Sequence, residues 1–65
     1  MTDTEEQEAV KAAYRHQVRL LFGNLIFNLI DGDVAGATDR FSRGIEIAKQ
    51  ARRIALVVVQ HVGRA

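Results

Sequence analysis

The spacing of apolar residues predicts an all-α fold, a two-helix antiparallel hairpin that pairs into a dimeric four-helix bundle. Three observations carry this. The 65-residue chain has no proline and one strong break, Asp31-Gly32-Asp33, near its middle. Apolar residues recur at three- and four-residue steps on both sides of that break. The chain also holds more apolar surface than a lone hairpin buries, and it has no cysteine with which to staple itself.

The whole chain, residues 1–65, reads as one hairpin domain, with a first helix over about residues 4–30. Thr2 followed by Glu5, and Thr4 followed by Gln7, fit capping boxes at its start. At 100° per residue, Tyr14, Val18, Leu21, Phe22, Leu25 and Leu29 share one stripe. Gly23 only lowers the helix propensity there. The turn occupies residues 31–33, where Gly32 suits the left-handed position that ends a helix and Asp33 suits the N-cap of the next. So short a link forces the helices antiparallel. The second helix is expected over about residues 34–62, with Gly63 as its stop.

The second helix carries a regular seam. Val34, Ala37, Phe41, Gly44, Ala48, Ala51, Ala55, Val58 and Val62 follow one another at alternating steps of three and four. Its small central residues allow the helix axes to approach to ~8 Å. Ile45, Ala48, Arg52, Ala55 and Val59 form a neighbouring row and widen the buried face.

Other apolar residues lie off both seams. Leu20, Phe27 and Ile30 are near the turn, and Ile54, Leu56 and Val57 near the chain ends. Within one hairpin, the second patch faces the mostly acidic residues 5–10, which cannot cover it. An antiparallel homodimer brings the two patches together twice, so these six residues are the expected interface. A helical protein partner of different sequence is the alternative occupant. Asn24 and Asn28, four residues apart at the edge of the stripe, can fix register or simply bond to water; the second is the expected role.

The net charge is +1, too small by itself to imply nucleic acid. Its distribution is uneven, because residues 1–8 hold Asp3, Glu5, Glu6 and Glu8 and no base. Acid there suits the positive end of a helix dipole. Lys11, Arg15 and Arg19 form a basic row beside Tyr14 that can track a phosphate backbone, which makes nucleic acid the alternative partner. Lys49, Arg52 and Arg53 cluster on the second helix, behind Arg40 and Arg43. The ordinary reading is a solvated face with ion pairs: Asp39 with Arg43, Glu8 with Lys11, and Glu46 with Arg15 or Arg19. Arg52 is expected to lay its stem on apolar surface and send its head to water.

Chemistry is hard to find in the sequence. His16 and His61 are the only imidazoles, they lie far apart in a hairpin, and neither has a ligand at helical spacing. There is no phosphate-loop motif and no base near Thr2, Thr4, Thr38 or Ser42. We therefore expect no enzyme activity, metal or cofactor. The acidic start is unlike a signal peptide, and no run of about 18 apolar residues offers a membrane span. A cytoplasmic location follows by default.

This plan resembles the Rop-type plasmid RNA regulators, which are antiparallel dimers of two-helix hairpins, and in size it is similar to small hairpin chaperones of secretion systems. The resemblance is one of length and architecture, and no residue is carried over from it. The expected role is a self-associating structural or protein-interaction module. A small nucleic-acid-binding regulator using Lys11, Arg15 and Arg19 is the alternative.

Overall fold

The computed structural model describes residues 2–64, with side chains described for residues 4–61. Helix α1 spans Thr2–Ile30 and α2 spans Val34–Arg64. They pack against each other as a flat hairpin with Cα extents of 50 × 15 × 7 Å. Helix α1 begins before the expected residue 4, so Thr4 lies inside it and cannot be its cap. The Thr2 and Val62 side chains lie outside the described residues. Helix α2 continues through Gly63, contrary to the expected stop, because glycine costs a helix about 1 kcal/mol without ending it.

The turn is built from backbone hydrogen bonds. Gly32 adopts φ 88°, the left-handed region. Its N–H donates to Leu29 O at 3.0 Å, and the Asp33 N–H donates to Asn28 O at 3.2 Å. These are the two bonds of a Schellman motif, and they satisfy carbonyls that the end of α1 would otherwise leave bare.

Asp33 closes α1 and opens α2. Its carbonyl accepts the Ala37 N–H at 2.9 Å, while its Oδ1 accepts the Gly36 N–H at 3.1 Å, the bonding of an N-cap. Its Oδ2 accepts from Arg40 Nη2 at 3.0 Å. A Cβ at position 36 would lie 2.8 Å from the Asp33 carboxyl carbon, so this arrangement needs glycine there. The Arg40 hydrogen bond, then the Gly36 N–H, hold the Asp33 carboxyl below its ordinary 3.8.

Large side chains of α1 meet small ones of α2. The half-buried row of α1 is Val10, Tyr14, Val18, Leu21, Leu25 and Asn28. On α2 the row is Ala37, Phe41, Gly44, Ala48, Arg52, Ala55 and Val59, with Ile45 and Leu56 beside it. A Cβ added to Gly44 would fall 2.5 Å from Leu21 Cδ2, so the leucine occupies the space that the glycine leaves.

Two rows differ from expectation. On α1, Phe22 and Leu29 are exposed and Asn28 takes the inner position. On α2, Val34, Ala51 and Val58 lie outside the half-buried row and are exposed, and Arg52 and Val59 of the neighbouring row replace the last two. A straight helix turns every 3.6 residues, so a strict heptad row drifts by ~20° per repeat and the contact passes to the row beside it.

Candidate functional site

The inner faces bury very little. Ala37, at 1% exposure, is the one buried residue among the described residues. Eleven large apolar side chains are exposed among them, including Phe27 at 66%, Ile30 at 78% and Ile47 at 66%. This follows from the architecture, since two helices offer each other one stripe apiece and everything else meets solvent.

The six residues expected to form an interface do not share a direction. Leu20, Phe27 and Ile54 lie on one face of the hairpin. At 3.6 residues per turn, Ile30 and Val57 fall on the far sides of their helices, away from the inner rows. Leu56 is half-buried on the opposite face, where it lines a cleft with Lys11, Arg15, Tyr14 and Arg52.

The face that holds Leu20 is poor in charge. On α1 it presents Ala13, Gln17, Leu20, Asn24 and Phe27, and on α2 Arg40, Gly44, Ile47, Ala51, Ile54 and Val58. Each set keeps alternating three- and four-residue steps, so each helix carries a second heptad row beside the one it uses inside the hairpin. Arg40 is the only charged residue in the two rows, and Asp33 holds it at the turn end. Between the rows runs an open groove of about 230 Å³, lined by Val10, Ala13, Tyr14, Gln17 and the small residues Ala48, Ala51 and Ala55, together with Arg52. The second row was readable in the sequence from the spacing of Gly44, Ile47, Ala51, Ile54 and Val58. Ile47 escaped notice because it lies outside the two end patches.

The opposite face divides along its length. Toward the chain ends it is basic, and Lys11, Arg15 and Arg52 surround a cleft of about 430 Å³. The Arg52 guanidinium does not go to open water as expected. It stacks on the Tyr14 ring, 4.2 Å from its centroid, which places it between the apolar groove and the basic cleft. Arg19, the third member of the expected basic row, is exposed but does not line this cleft. Toward the turn the same face carries Phe22, Ile26, Leu29 and Val34, all exposed.

Besides the Asp33–Arg40 pair at the turn, the exposed ion pairs lie within single helices. Arg43 Nε approaches Asp39 Oδ2 at 3.4 Å, and Lys11 Nζ approaches Glu8 Oε2 at 4.0 Å. Glu46 pairs with neither Arg15 nor Arg19, contrary to expectation. Asn24 is exposed, and Asn28 serves the turn through its backbone carbonyl.

His16 and His61 are both exposed and on different helices. Among the described residues no group of three His, Asp or Glu side chains could hold a metal ion. Neither described helix is long and apolar enough to cross a membrane. Two surfaces with distinct chemistry therefore stand out, a charge-poor apolar face and a basic cleft. In comparisons with known protein families, curated proteins and solved structures, nothing matches the chain.

Proposed function

We propose that this protein is a self-associating structural or protein-interaction module whose working form is a homodimeric four-helix bundle. One observation carries the reading: a single residue is buried among the described residues, while eleven large apolar side chains are exposed. A surface of that kind is normally covered by another protein, and a chain of this size without staples gains most of its core by association. Sedimentation equilibrium at tens of micromolar tests this. The expected result is twice the chain mass of 7.2 kDa, unchanged by high salt. A helical monomer at that concentration overturns it.

A second reading rests on the stacked Arg52. Together with Lys11 and Arg15 it sets three cations around Tyr14, an arrangement suited to a phosphate backbone with a base against the ring. The protein would then be a small nucleic-acid-binding regulator. Fluorescence anisotropy with labelled single-stranded RNA is the test, and binding should weaken steeply as salt rises. Binding that survives in a Lys11→Ala, Arg15→Ala double variant removes this reading.

A further inference from the structure

We infer that the charge-poor face, and not the basic one, is where a second copy of this chain docks, with the two turns at opposite ends and a two-fold axis that lies in the interface and crosses both helices at mid-length. This rests on the self-association proposed above. Of four features, size and periodicity make this face large and regular enough to pair, and charge and shape select it and the orientation.

The first is size. The hairpin measures 50 × 15 Å across its broad face, about 750 Å² in projection, close to the ~800 Å² per partner of a standard interface.

The second is charge. Pairing through the opposite face would bury Lys11, Arg15 and Arg52 against apolar residues near the partner's turn, and of these only Lys11 has a carboxylate beside it, Glu8, so two guanidinium groups would lie unpaired in a dry interface. The rows of the charge-poor face contain one charged residue, Arg40, which already has Asp33, and Arg52 reaches the groove between them only while stacked on Tyr14.

The third is shape. The groove lies in the half of the hairpin near the chain ends, where Ala13, Ala48 and Ala51 leave space. Leu20 and Ile47 protrude on the turn side of the midpoint, at 49% and 66% exposure, while Ile54 and Val58 flank the groove and a smaller cleft of about 170 Å³, lined by Leu21, Asn24, Phe27 and Arg40, lies toward the turn. A two-fold axis at the midpoint with opposed turns carries the protruding pair of each copy onto the groove of the other. With the turns at the same end, Leu20 would meet the partner's Ile47 and the larger groove would meet its own copy.

The fourth is periodicity. Each of the two rows keeps heptad spacing, as helices need when they interlock side by side over several turns.

In this arrangement Gln17 and Ala51 lie near the axis, each next to its own symmetry mate. The chain has no cysteine, so single-cysteine variants report the geometry directly. Gln17→Cys and Ala51→Cys should each oxidise to a disulfide-linked dimer, because that bond needs Cα atoms about 4.4–6.8 Å apart. Lys49→Cys, at the same level but on the basic face, should remain a single chain on a non-reducing gel. Circular dichroism of the reduced variants confirms that each is helical. Linkage at Lys49→Cys but not at the other two positions, in a protein that sediments as a dimer, overturns the choice of face. If Gln17→Cys and Ala51→Cys link only when mixed with each other, the turns lie at the same end and the orientation is overturned. A monomer in sedimentation overturns self-association itself, and so distinguishes that failure from a wrong face.

Discussion

The two broad faces of this hairpin are made by the same helices but differ in what they can bury. One presents two heptad rows with a single charge, and that charge is held at the turn end by Asp33. The other is basic near the chain ends and apolar near the turn. Apolar content alone does not separate them, since Phe22, Ile26 and Leu29 on the second face are as exposed as Leu20 on the first. Charge placement does. Removing water from an apolar side chain is favourable, whereas removing it from an unpaired guanidinium costs more than a neighbouring leucine returns.

The largest expected effect comes from breaking this contrast. Leu20→Lys with Ile47→Lys places four charges in the proposed dimer interface, two from each copy. We expect dimerisation to weaken by about 100-fold or more, ~3 kcal/mol, as read by sedimentation. Lys49→Glu with Arg53→Glu changes twice as much charge, on the other side of α2, and should leave the sedimenting mass unaltered. Equal effects from the two pairs would show that the faces are equivalent.

A smaller effect tests the packing beneath both faces. Gly44→Val drives a branched side chain into the position of Leu21, and overpacking of this kind costs about 1–3 kcal/mol in urea unfolding. Leu21→Ala in the same chain makes room for the valine, so the two changes together should cost less than the sum of each alone.

The smallest effect belongs to the turn, which both faces share. The folded carboxyl of Asp33 titrates below its ordinary 3.8. Its stabilising contribution is therefore fully present above that value and is lost as pH falls through the lower, folded one. Asp33→Asn keeps a capping side chain but removes the charge. The variant should melt slightly below the parent at neutral pH, and the gap should close as pH falls below the ordinary carboxylate range, in thermal scans followed by circular dichroism.

Much of the hairpin was legible in the sequence because its signals are local. Asp31-Gly32-Asp33 specifies a helix end and a helix start within three residues, and the Schellman bonds and the Asp33 cap follow from those residue types. Arg40 joining the cap from seven residues away was not legible, because it depends on where a long side chain folds back. The expected seam has Ala37, Phe41, Gly44 and Ala48 on the inner face and departs from it at Val34, Ala51 and Val58. A helix that does not supercoil fully cannot keep one heptad row inward over eight turns. Arg52 is half-buried for the same reason, and so comes to stack on Tyr14.

By itself the sequence determined two helices, one turn and a surplus of apolar surface, because periodicity and capping act over a few residues. Only the tertiary structure decided how that surplus is divided. It placed Leu20, Phe27, Ile47 and Ile54 on one face, sent Ile30 and Val57 outward and half-buried Leu56 beside cations. The direction of each side chain depends on the rotation of each helix against its neighbour. That rotation is set by where large residues such as Leu21 find small ones such as Gly44, a match between positions far apart in the chain.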